Sequence, residues 1–150
     1  MGYCMRFITS DNSNLDIPSL EKALQAVDNR YRLAGNKTDP PFSAGFFHGS
    51  ELYAKLMVDT PGDGIFEEEI RELREILEEA KKGNVKRVAT GLVNAKAIVV
   101  VQVFWQNRET GETLERIDPL WDILFQQHDG LLQADGEGYY DTSALILSVE

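Results

Sequence analysis

The chain has 150 residues, 43% hydrophobic and 27% charged, a composition that fits one soluble domain with enough apolar material for a real core. Its 25 acidic residues against 15 basic ones leave a formal charge of −10. That field repels nucleic acid phosphates and anionic lipid, so neither is expected as a partner; an acidic surface commonly serves solubility alone, and attraction of a basic partner is the alternative. The longest apolar run, Ala97 to Val101, is far too short to span a membrane.

Cys4 is the only cysteine, which excludes an internal disulfide and a cysteine-based zinc site. The opening MGYCMRF shows no basic segment followed by an apolar one, so a reduced, cytoplasmic protein is expected.

Tyr3 to Thr9 predicts a first strand, ended by the polar run Ser10 to Asn14. Pro18 stands where a first helical turn tolerates proline, and Leu20, Ala23, Leu24, Val27 and Tyr31 follow at helical spacing, with Gly35 as the stop. Asn36 to Pro41 predicts a loop. Phe42 to Asp59 predicts a hairpin turning at His48-Gly49-Ser50, with Leu52, Ala54, Leu56 and Val58 on the buried face of its second strand.

Asp63 to Gly83 gives the clearest helix. Phe66, Ile70, Leu73, Ile76, Leu77 and Ala80 form one apolar stripe, Glu67, Glu68 and Glu69 occupy the first turn, and Lys81 and Lys82 the last. Asp63 or Gly64 is the expected N-cap. Asn84 to Asn94 fits a short second helix through Val85, Val88, Ala89 and Leu92, with a strand as the alternative because Thr90 and Gly91 are poor helix formers.

Ala97 to Gln106, apolar and β-branched, predicts a central strand covered on both faces, or on one face and an interface. Leu114 and Ile117 lie on a helical turn. Asp118-Pro119 then predicts a new helix start, continued by Leu120, Trp121, Leu124 and Phe125. A short strand at Leu131 to Ala134, a turn at Asp135 to Gly138 and a last strand at Ser143 to Val149 complete the chain.

The two ends match in plan. Residues 3–59 and 97–149 each predict a βαββ unit, and a central helical segment joins them. The expected fold is a single α+β domain with a mainly antiparallel sheet of about six strands and helices on one face. This tandem order of elements resembles that of the gyrase-inhibitor-like effector-binding domains and the SOUL haem-binding proteins. The resemblance implies a pocket between the halves for a small apolar or cationic ligand. A ferredoxin-like elaboration fits the same elements.

No G-x-S-x-G, H-E-x-x-H, P-loop or G-x-G-x-x-G motif occurs, and no cofactor or metal is expected. In Asp135-Gly136-Glu137-Gly138-Tyr139-Tyr140-Asp141, three carboxylates crowd a glycine-rich turn without the spacing of a twelve-residue calcium loop. The plain reading is a solvated hairpin connection. The functional one is a recognition patch made by Tyr139 and Tyr140 with Asp135, Glu137 and Asp141.

His48 and His128 each fall at an element end, where idle, exposed histidines are common and where a general base is the alternative. Trp105 and Trp121 are read as core residues that would line any pocket beside them. The leading expectation is therefore a non-enzymatic binding or interaction module, acidic and self-associating as a homodimer. The alternatives are a small-molecule effector domain and an enzyme with a histidine–carboxylate site.

Overall fold

The computed structural model describes residues 3–13, 15–35, 42–80, 83–142 and 144–148. The predicted loop at 36–41, the lysines at 81 and 82, and the strand ends at Ser143 and Val149 lie outside them. The element order is β1 (Tyr3–Thr9), α1 (Ile17–Val27), β2 (Tyr31–Ala34), β3 (Phe42–His48), β4 (Glu51–Asp59), α2 (Ile65–Glu78), α3 (Val85–Val93), β5 (Ala97–Val103), α4 (Thr110–Gln127), β6 (Gly130–Ala134), β7 (Gly138–Tyr140) and β8 (Leu145–Ser148).

The strands form one antiparallel sheet in the order β2-β3-β4-β5-β1-β6-β7-β8. It has eight strands rather than about six, and each half reads βαβββ rather than βαββ. The central strands are exchanged between the halves. β5 completes the β2-β3-β4 meander and β1 completes the β6-β7-β8 meander, so neither half holds a full sheet of its own.

Two crossovers follow from this order. β1 and β2 are an even number of antiparallel steps apart and run parallel; so do β5 and β6, on either side of β1. β1 and β5 are antiparallel and their crossovers step in opposite directions. Crossovers of one hand then carry α1 and α4 to the same face, as observed. The β4-to-β5 connection through α2 and α3 occupies the other face.

The expectation of helices on one face is thus corrected. The reason lies in β5, where Ala97, Val99, Val101 and Val103 pack under α1 and α4 while Ile98 and Val100 pack under α2 and α3. A strand apolar on both faces needs cover on both.

Local chemistry sets most boundaries. Asp16 caps α1 by accepting from the Ser19 N–H at 2.8 Å, with Pro18 in the first turn. α1 ends at Val27, four residues before the predicted Tyr31. Asp28 and Arg30 form a local turn, and Tyr31 and Leu33 alternate into the core as a strand. Gly49, at φ 63°, makes the two-residue turn between β3 and β4.

A register shift opposite Phe46 and Phe47 places Tyr53 and Ala54 both in the first core, so Tyr53 replaces Leu52 on the buried face. Gly64 is the N-cap of α2, and Asp63 Oδ1 accepts from the Phe66 N–H at 2.7 Å. Asn84 caps α3, so that segment is helical as favoured.

α4 is one helix, not a turn followed by a new start at Pro119. The proline removes one backbone bond, but Ile117, Leu120, Trp121 and Leu124 are buried continuously across it.

The second core contains a polar cluster. The Arg6 guanidinium bridges Glu69 of α2 at 2.7 Å and Asp135 at 2.8 Å, and also donates to Gln133. Nearby, Asp59 is 1% exposed and neither carboxylate oxygen has a hydrogen-bond partner among the described residues. Burial, then Glu69 and Asp63, push its carboxyl up to about 7, against the pull of Arg6.

The folded protein therefore holds a proton that the unfolded chain releases near the ordinary aspartate value. Stability contributed by that proton is present below that value and is lost as pH rises towards 7. Asp59→Asn should accordingly match the parent protein near pH 4 and exceed it progressively up to pH 8, by up to a few kcal/mol. Denaturant unfolding across that range measures it; a pH-independent difference would contradict the assignment.

Candidate functional site

The exchange of β1 into the second half creates a groove. β1 brings Tyr3 and Met5 beside Leu132 and Ala134 of β6, while α4 crosses above. On α4, Asp118, Trp121, Asp122 and Phe125 recur at i, i+3, i+4 and i+7, which puts them on the helix face bordering β6 and β7. Glu137 and Tyr140 close the far side, followed by Asp141 and Thr142. The concavity is about 500 Å³, within the range of small-ligand sites.

Its floor is aromatic. Tyr3, Trp121, Phe125 and Tyr140 line it, and Trp105 lies against Tyr3 from outside with ring centroids 5.7 Å apart. Phe125 meets Phe7 edge-on at 5.0 Å, which fixes it to the core. Trp121 is buried and its indole N–H has no acceptor among the described residues, so packing holds it.

Its rim is acidic: among the described residues Asp118, Asp122, Glu137 and Asp141 line the groove and no lysine or arginine does. Glu137 is tightly positioned. One oxygen accepts from the Tyr3 hydroxyl at 2.5 Å and the other from the Tyr140 hydroxyl at 2.7 Å. Asp141 pairs with Arg87 of α3 at 3.1 Å. Asp118 and Asp122 have no ion-pair partner among the described residues. They stand one helical turn apart, where like charges repel. Desolvation, then Asp122 and Glu115, raise the Asp118 carboxyl.

The structure disperses the other sequence candidates. Tyr139 is buried in the second core, on the opposite side of the sheet. Asp135 also faces away, accepting from Arg6 and from the Cys4 N–H at 3.0 Å. His48 sits at the end of β3, far along the sheet, buried against Tyr31 with Nε2 3.0 Å from Asp28. Trp121, Glu137, Tyr140 and Asp141 are the four predicted residues brought together. Tyr3, Phe125, Asp118 and Asp122 were missed. The i, i+4 spacing of the two aspartates was the available signal, obscured because Asp118 read as a helix cap.

Both histidines have a carboxylate in reach, His128 through Nδ1 and Asp11 at 3.0 Å. Asp11 is in turn held by the Ser13 N–H and hydroxyl. The other ring nitrogen of His128 is buried without a hydrogen-bond partner among the described residues. These pairs fasten loops: His128 ties the end of α4 to the 10–13 segment, and His48 ties β3 to the turn before β2. Both histidines are buried rather than exposed, and neither lines the groove. A second hollow of about 420 Å³ lies across Asp141 and Thr142, bordered by Arg87, Thr90, Asn94 and His128.

Among the described residues, no three His, Cys, Asp or Glu side chains are placed to hold a metal ion, and no helix is long and apolar enough to cross a membrane. No family model matches this chain, nor does any curated protein or solved structure.

The Glu137 hydrogen bond is the largest cause raising the Tyr140 phenol, and burial followed by Glu137 raises Tyr3. Glu137→Gln should lower both towards the ordinary tyrosine value of about 10. An ultraviolet phenolate titration reads this directly, and an unchanged curve would mean that Glu137 does not hold the two phenols.

Proposed function

We propose that this protein is a non-enzymatic binding module whose groove between α4 and the β6–β7 hairpin takes an organic cation with an apolar body. The carrying observation is that, among the described residues, the lining has four carboxylates and four aromatic rings and no basic side chain. Aromatic faces attract cations by about 0.5–2 kcal/mol each. Rim carboxylates add about 0.2–1 kcal/mol apiece, and Asp118 and Asp122 have no cation of their own. A bound cation relieves their mutual repulsion. The net charge of −10 steers cations towards the protein over roughly a Debye length.

The cation is carried either by a small amine or by a lysine or arginine of a basic protein segment, since the same chemistry recognises both. Tryptophan fluorescence titrations with benzyltrimethylammonium, with its neutral tert-butyl analogue and with a lysine-rich peptide separate the sources.

The reading expects one cationic probe to bind, the neutral analogue to bind at least about tenfold more weakly, and salt to weaken binding. Asp118→Asn with Asp122→Asn should lower affinity by about tenfold without loss of thermal stability. Equal affinity for the charged and neutral probes, or indifference to the double substitution, would count against it.

A further inference from the structure

The face of the sheet away from the groove is a step. Its thick half carries α2 and α3 over β5, β1, β6, β7 and β8. Its thin half is bare, because the second core takes no side chain from β2 or β3 and, from β4, only Met57 and Asp59 near the strand's end. The step therefore runs along the strands.

The thin half is apolar with a basic fringe. Phe47, Leu52 and Phe104 are only half-buried there. Arg32 lies over the Phe47 ring at 4.6 Å, and Lys55 borders the hollow formed by Leu52, Gly45 and Phe104. Two cations clustered on apolar ground are unusual on a chain with ten more acids than bases.

The thick half presents the complement. Opposite the buried stripe of Phe66, Leu73 and Leu77, α2 carries Glu68, Glu72 and Glu75, with Glu79 at its C-cap, all exposed; Arg71 pairs with Glu68 and Glu75, which leaves Glu72 and Glu79 as the crest's acids without an ion pair among the described residues. Ile65 and Ile76, 44% and 48% exposed, flank that crest.

We infer that this face binds a second copy of the chain, with the acidic crest of each α2 seated on the bare basic sheet of the other. A two-fold axis along the step places thick half on thin half twice, which closes the assembly at a dimer. The surface is large enough to matter. β2, β3 and β4, of four, seven and nine residues at about 3.3 Å per residue and about 4.8 Å spacing, offer roughly 320 Å², and the fourteen-residue helix adds about 210 Å² of projected area. The total of roughly 500 Å² per partner stands at the low end of specific interfaces, which matches a dimer that forms at tens of micromolar. The groove lies on the opposite face, so the dimer presents two grooves outward. The inference stands whether or not the groove binds a cation.

Charge reversal tests it. One variant carries Arg32→Glu and Lys55→Glu; the other carries Glu72→Lys and Glu79→Lys. The parent protein should sediment as a dimer at tens of micromolar. Each variant alone repels its own copy at both contacts and should dimerise at least about tenfold more weakly. Mixed one to one, the variants match at both contacts and should form a heterodimer, visible by native mass spectrometry. That recovery also shows that both variants fold. A monomeric parent protein, a dimer that ignores both reversals (as pairing through the β2 edge would give), or variants that fail to associate on mixing would each overturn the inference.

Discussion

The antiparallel pairing of β1 with β5 is the constraint on which the rest depends. Seven residues pair with seven, from Tyr3 opposite Val103 to Thr9 opposite Ala97. β5 is buried on both faces along nearly its whole length, and Phe7 and Ile8 of β1 point to opposite cores. Because the paired residues lie 88 to 100 positions apart in the sequence, the pair cannot form until the chain through β5 is present. A pairing of such sequence separation is entropically slow to close, and it makes both meanders and both helical layers contingent on one event.

The groove is a consequence of that exchange. Without β1 in the second half, Tyr3 would not stand beside Tyr140, and Glu137 would lack one of the two phenols that orient it. The site is built from rigid strands and a helix, which hold the aromatic floor in place. Its acids belong partly to a turn and partly to one face of α4. The opposite face spends its charge differently: there Arg6 ties α2 to the sheet through Glu69, and the unpartnered Asp59 is a buried cost within the same cluster.

Much of this fold was legible in the residues. Where hydrophobic period and capping chemistry agreed, as in β1, the β3–β4 hairpin, α2, α3 and β5, the element types were as expected, although α2 stops at Glu78, short of Gly83, which bridges to Leu147, and β5 stops at Val103, short of Gln106. The failures share one cause, a local pattern overridden by packing. Tyr31 continued a helical period, yet Asp28 and Asn29 stop the helix and Tyr31 and Leu33 alternate into the core. Pro119 signalled a helix start, yet the buried face running through it keeps α4 whole.

The number of covered faces was readable in principle from β5, whose Ile98 and Val100 are as apolar as their neighbours. The groove was only half legible. The aromatic and acidic residues of the 135–141 turn were visible, but their partition between two faces depends on strand alternation, which sends Tyr139 one way and Tyr140 the other. The contribution of Tyr3 depends on a pairing that no local pattern reveals.

The measurement closest to the central claim is an intermolecular nuclear Overhauser experiment with tetramethylammonium as the probe, at low salt. The account predicts transfer from the probe methyl protons to ring protons of Tyr3, Trp121 and Tyr140, and none to Tyr139 or Phe46, which lie in the two cores. Transfer concentrated elsewhere, or absent while the protein is folded, would contradict a groove that recognises cations.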